Sequence, residues 1–142
     1  MPINLSFSVK DYFVDNISFR MNPAFDYHAP HRMNVEPVYA RSFLPLDENT
    51  VKVDLSLSIR ETGTILPFIL DATVSVTIAS EKWEDTPVKR KFLSDTGATI
   101  LYPYLRALVS SVTGNMNYLA YTPPFMNIVA YLNEQEKKTV KA

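Results

Sequence analysis

Two histidines and an aspartate lie together in Asp26-Tyr27-His28-Ala29-Pro30-His31, and these are the only histidines of the 142-residue chain. Imidazole and carboxylate at short spacing can hold zinc. Pro30 breaks helical register between them and no further ligand is evident in sequence, so the expected reading is ordinary loop histidines and no metal. Cysteine is absent, which removes a thiol nucleophile, a disulfide framework and a Cys-rich zinc site. Acidic residues are scattered, with no spacing that marks a general acid and base. The serines sit on strand-like segments without a base beside them. Gly63, Gly97 and Gly114 stand alone, so no phosphate-cradling loop can be built. The expectation is a protein that is not an enzyme and carries no cofactor.

The side chains that could do work are apolar. Tyr118, Tyr121, Phe125 and Met126 cluster in or beside a segment broken by Pro123 and Pro124. Loops seldom carry this much apolar area unless it is covered or used. From Thr96 to Asn133 the only charged residue is Arg106. Ala107, Ser110 and Ser111 form a small-residue face in that stretch. An ordinary solvated face is one reading. Solvated helices normally carry Lys and Glu, so an oligomer interface is the expectation.

Charge excludes one class of partner. The net charge is -1, leaving no basic field to neutralise phosphates, so nucleic acid is not expected. Hydrophobic residues make up 46% and charged residues 20%, the profile of a globular chain of one domain, residues 1–142. No apolar run approaches the ~18 residues of a membrane span, and the first residues lack a signal-peptide pattern. The cytoplasm is the expected location.

The elements that position these side chains follow from periodicity. Ile3, Leu5, Phe7 and Val9 alternate with polar residues and predict a first strand, with Ile17, Phe19 and Met21 continuing it past a bend. Residues 22–34 read as a crossover loop. Val35 to Leu44, flanked by Pro37 and Pro45, reads as an edge strand. Leu46 to Asn49 is a turn. Val51 to Ile59 alternates cleanly. Glu61 to Thr64 is a hairpin connection to a strand carrying Leu66 through Ile78 on one face. The other face of that strand holds Ile65 and Ile69 as well as Asp71, Thr73, Ser75 and Thr77. Its apolar pair is either a second layer of the core or a contact for another chain. Residues 81–93, including Lys89-Arg90-Lys91, read as a charged linker. Two helices are predicted next. The first has Ile100, Leu101, Tyr104, Leu105, Leu108, Val109 and Val112 at helical spacing, with Pro103 in an early turn and Gly114 as its stop. The second starts at Thr122-Pro123-Pro124 with Phe125, Ile128, Val129 and Leu132 as its stripe. The tail from Glu134 to Ala142 is polar and expected to fray, leaving an ordered core of about 3–135.

Some of these residues resemble a known family. Asn16-Ile17-Ser18-Phe19 is similar to the "D-I-S-F" strand end of the SecB family of protein-export chaperones. Ile100-Leu101-Tyr102-Pro103-Tyr104-Leu105-Arg106 resembles that family's "I-L-F-P-Y-A-R" opening of its long helix. Gly114, Leu119 and Pro123 fall where its helix-connecting loop has Gly, Leu and Pro. The resemblance implies an α+β fold: a four-stranded antiparallel sheet, then a long helix, a connecting loop and a second helix. It also implies a homotetramer, a dimer of dimers with the long helices between sheets. The family holds unfolded chains without ATP in an apolar groove, and the matching positions here are Met116, Tyr118, Leu119, Tyr121, Phe125 and Met126. Met and aromatic side chains suit such a groove because they offer area and adaptability; the competing reading is that several simply pack the second helix onto the sheet.

Other positions depart from the family. Its acidic contacts for the SecA motor are replaced by Asn16 and Arg20, and only Asp71 keeps an acidic position on the fourth strand. Asn117 stands where a proline is usual and Phe125 where an asparagine is usual. SecA is therefore not expected as a strong partner, and the chain looks more like the divergent SecB-like proteins of Gram-positive bacteria. The functional expectation is a holding chaperone for non-native polypeptides. The alternatives are an adaptor dedicated to one partner, such as an antitoxin, or a small-ligand binder.

Overall fold

The computed structural model describes residues 7–26, 35–60, 65–80, 85–114 and 121–141. Its elements run β1 (Phe7–Met21), β2 (Val38–Pro45), β3 (Thr50–Ile59), β4 (Phe68–Ser80), α1 (Pro87–Gly114) and α2 (Ile128–Lys141). The strands form one antiparallel sheet in the order β1-β4-β3-β2. The α+β expectation and the edge position of β2 are both met.

β3 and β4 make the centre because their side chains alternate. Val51, Val53, Leu55, Leu57 and Ile59 turn to one face, Phe68, Leu70, Ala72, Val74, Val76 and Ile78 join them from β4, and all are buried. α1 covers this face with Leu93, Ala98, Leu101, Leu105 and Val109, so one continuous core forms between helix and sheet. The helix can approach closely because Gly97 lacks a side chain. A Cβ there would lie 2.6 Å from Cβ of Val53, well inside van der Waals contact.

β1 runs through both apolar alternations from Phe7 onward, as the reading of one strand with a bend expects, while Ile3 and Leu5 lie outside the described residues. It is one strand, and the bend between its apolar runs is a pair of register shifts, at Val9/Asp11 and Val14/Asn16. Such bulges bend a strand and re-aim its side chains. Phe7, Val9, Tyr12, Phe13, Val14, Ile17 and Met21 stay 38–46% exposed. Tyr12 stacks on Tyr104 at 4.5 Å between ring centroids, and Phe7 meets Phe92 edge-on.

The linker reading of 81–93 is corrected over its second half. The helix begins at Pro87, and Lys89-Arg90-Lys91 belongs to its first turns. Thr86 caps it: its Oγ1 accepts from the Lys89 N–H at 3.3 Å and its carbonyl from the Arg90 N–H at 2.9 Å. A threonine followed by proline is a helix-start signal. Pro103 consequently lies in mid-helix, on the exposed side, where it supplies no N–H to the helical ladder. Tyr104 is on the exposed side as well and Tyr102 is the buried one.

The second helix also starts later than expected. Asn127 caps it, its Oδ1 accepting from the Ala130 N–H at 3.1 Å and its carbonyl from the Tyr131 N–H at 3.1 Å. Residues 121–127 are not helical, so Phe125 is not part of the helical stripe; Ile128 and Leu132 are buried and Val129 is partly buried. The polar tail from Glu134 is helical through Lys141.

Candidate functional site

A groove of about 780 Å³ opens between the start of β2 and the start of α2. Its walls are Val35, Pro37 and Tyr39 on the sheet side, and Tyr121, Pro124 and Met126 on the other, with Tyr131 from the helix and Glu36 and Gln135 at hand. The lining is aromatic and apolar with few polar groups, the usual character of a site that grips through surface area.

Each wall has a sequence cause. Tyr39 alternates inward from β2 and is buried, with its ring edge-on to Tyr102 at 5.6 Å and to Tyr131 at 5.3 Å. Tyr131 faces the groove because it follows Ile128 by three residues on the packed side of α2. Residues 121–124 run as an extended segment back along α1, held at four points. The Thr113 hydroxyl accepts from the Tyr121 N–H at 2.8 Å and lies 3.0 Å from the Tyr121 carbonyl. Thr122 donates to Ser110 Oγ at 2.9 Å. Arg106 Nε donates to the Pro123 carbonyl at 2.7 Å, and the Tyr102 hydroxyl to the Pro124 carbonyl at 2.6 Å.

Electrostatics bind the same end of the molecule together. Arg41 of β2, with a side chain only 8% exposed, reaches Asp95 of α1 at 2.6 Å and Glu136 of α2 at 2.9 Å, and donates to Asn133 at 3.1 Å. Burial opposes its charge, but the hydrogen bonds it donates to Glu136 and Asp95 outweigh that and hold the guanidinium's pKa above the ordinary value. Burial, and after it the hydrogen bond with Tyr102, push the Tyr39 phenol far above its ordinary value. Burial, and then Tyr102, raise Tyr121 as well.

Of the six apolar residues expected at a binding site, Tyr121 and Met126 line the groove. Phe125 stands beside it, 88% exposed, with the Arg106 guanidinium 3.8 Å from its ring centroid. Met116, Tyr118 and Leu119 lie outside the described residues, as do His28 and His31. Ala107 and Ser111 are on the exposed side of α1, while Ser110 is half-buried and takes the bond from Thr122. Asp71, on the sheet face away from α1, accepts from Ser58 and pairs with Arg60. Sequence reasoning passed over Tyr39, Tyr131 and the whole β2 wall; the one cue was a pair of tyrosines on amphipathic elements, which reads equally well as core. Among the described residues no group of three metal-ligating side chains occurs, and no helix is long and apolar enough to cross a membrane.

This backbone is similar to that of a Mycobacterium tuberculosis SecB-like chaperone solved in complex with a ChAD peptide from the HigA1 antitoxin. The TM-score is 0.67 at 16% identity, over 84% of this chain and 89% of that one. It is also similar to a Streptococcus agalactiae protein of unknown function, with a TM-score of 0.56 at 11% identity, over 87% of this chain and all of that one. No protein-family model matches the sequence, and no curated protein matches it. At such identities the likeness is one of fold, and the fold is SecB-like.

Proposed function

We propose that the chain is a SecB-like polypeptide-binding protein that holds non-native segments in the groove between β2 and α2, without ATP. The observation that carries this reading is the groove itself: Tyr39, Tyr121, Tyr131 and Met126 around about 780 Å³, on a fold shared with a chaperone solved with a peptide. An aromatic side chain buries ~150–250 Å². At ~25 cal/mol per Å², a few such contacts give several kcal/mol before ordering costs, enough for useful affinity without sequence readout. The test is titration of a fluorescent unfolded polypeptide against wild type and Tyr131→Ala. Loss of affinity in a folded variant supports the groove; unchanged affinity removes it.

Breadth of clients separates the two readings within this class. A holding chaperone suppresses aggregation of unrelated proteins. A dedicated adaptor binds one partner, and the antitoxin peptide on the Mycobacterium tuberculosis neighbour favours keeping that reading. The SecA motor is not proposed as a partner. Asn16 and Arg20 replace acidic positions, and the remaining carboxylate, Asp71, is already paired with Arg60. The divergent, Gram-positive-type assignment rests on those same departures.

Assembly into a dimer or a dimer of dimers is part of the proposal. β1 is an edge strand with exposed apolar side chains along its length, and natural proteins rarely leave such an edge uncovered. The outer side of α1, with Pro103, Ala107 and Ser111, is exposed and uncharged. Ala107→Glu with Ser111→Glu places charge there without touching the Ser110–Thr122 bond. Sedimentation of this variant is expected to show smaller species than the wild type; a monomeric wild type rejects the assembly.

A further inference from the structure

Four side chains of α1 hold one wall of the groove: Tyr102, Arg106, Ser110 and Thr113. Their spacing of four, four and three residues puts them on a single ridge of the helix. Each bonds a successive residue of the segment in reverse order, Thr113 with Tyr121, Ser110 with Thr122, Arg106 with Pro123 and Tyr102 with Pro124. The segment has no regular secondary structure of its own, and with prolines at two of its positions it has no helical route to satisfy its carbonyls. Its geometry is therefore set by α1.

Tyr102 stands out on this ridge. Its ring is buried in the core, so the hydroxyl is delivered from a rigid position. That hydroxyl donates to the Pro124 carbonyl at 2.6 Å, and the Tyr39 hydroxyl lies 3.4 Å away on its acceptor side. Tyr102 has one hydrogen and gives it to Pro124, so Tyr39 is the donor between the two phenols. The chain Tyr39 to Tyr102 to the Pro124 carbonyl thus joins the β2 wall of the groove to the opposite wall through the hydroxyl of a third residue.

We infer that Tyr102 is a positioning residue that fixes the width of the groove by tying the 121–124 wall to α1 and to Tyr39. This rests on the groove being the polypeptide site proposed above. A wall tied at both ends presents one groove shape before a client arrives. Releasing it lets the wall sample others, and only the competent fraction then binds. The effect falls on association, because the bound client itself restores the wall.

The experiment is stopped-flow binding of a fluorescein-labelled, reduced and carboxymethylated polypeptide to the full chain. The variants are Tyr102→Phe, Thr113→Val, which releases the other end of the wall, and the two together. All three keep side-chain volume, and circular dichroism with a thermal melt checks folding. Association is expected to slow about twofold for each single variant and about fivefold for the pair, with dissociation unchanged; the scale is that of one or two hydrogen bonds. Lost thermal stability alone does not slow association well below the melting temperature. Unchanged association in folded variants, or a change confined to dissociation, overturns the inference while Tyr131→Ala still weakens binding. If Tyr131→Ala binds as wild type, the groove reading fails and the positioning role goes with it.

Discussion

Gly97 and Tyr102 lie little more than one turn apart on α1, yet the helix is held differently at the two places. Around Gly97 it meets β3 through close packing: Val53 fills the space a Cβ would take, and Leu93, Ala98 and Leu101 close the contact. From Tyr102 onward it offers hydroxyls and a guanidinium to a segment that has no ladder of its own. Close apolar packing suits a part that must not move. Directional polar ties suit a part whose outline must be defined while its surface stays available to a ligand.

Breaking the packed region gives the largest effect. Gly97→Ala drives a methyl into the side chain of Val53, which is β-branched, stiff and fixed in the central sheet. Overpacking of this kind costs about 3 kcal/mol and exceeds the ~1 kcal/mol that alanine gains in helix propensity. Leu105→Ala, at a fully buried position, costs a similar ~3 kcal/mol by leaving a cavity. Urea unfolding midpoints measure both, and a neutral Gly97→Ala would show that the helix can lift from the sheet at no cost.

Where polar ties hold the structure the losses are smaller and differ in kind. Arg41→Ala removes the cation shared by Asp95 and Glu136, which are themselves part-exposed, so about 1–2 kcal/mol is expected. Because the tie is ionic, the difference between wild type and variant should shrink as salt is raised. Tyr121→Ser is expected to weaken polypeptide binding about tenfold, and Phe125→Ser by less, since Phe125 lies beside the groove rather than in its lining. Equal losses would place the client across Phe125 as well as in the groove.

The smallest effect is on pH dependence. Tyr39 ionises in the unfolded chain near its ordinary value of 10.0 but far higher when folded, so its contribution to stability is full below 10.0 and declines as pH rises above it. Tyr39→Phe should flatten the alkaline loss of stability without changing its neutral slope. An identical alkaline limb in the variant would show that the phenol ionises as freely in the folded chain as in the unfolded one.

The two regions were not equally legible in sequence. β3 and β4 announce themselves because a half-buried strand must alternate, and Val51 to Ile59 does so without a break. The start of α1 is marked by Thr86-Pro87, but Lys89-Arg90-Lys91 directly after it reads as solvated linker, and only the sheet beneath shows that Leu93 is core. The apolar stretch around Pro123 is visible, and the resemblance implies a groove lined by Tyr121 and Met126, but the facing wall is not legible. Half of the groove's wall comes from β2, far away in sequence, and no linear pattern reveals that Tyr39 and Tyr131 meet. Arg41 was hidden for the same reason: a lone cation on an edge strand looks solvated until the carboxylates of two helices converge on it.

β1 joins the sheet across the whole sequence of β2 and β3, with Phe7 opposite Ser80 and Met21 opposite Phe68. Closing that loop costs chain entropy before any contact repays it. The β3–β4 hairpin and the α1 that packs on it need no such closure. β1 is therefore expected to dock last during folding, and substitutions such as Ile17→Ala should leave the refolding rate nearly unchanged and act on the unfolding rate instead. Without β1, β4 has a bare edge of its own, and that edge is where a newly made chain would be most open to mispairing.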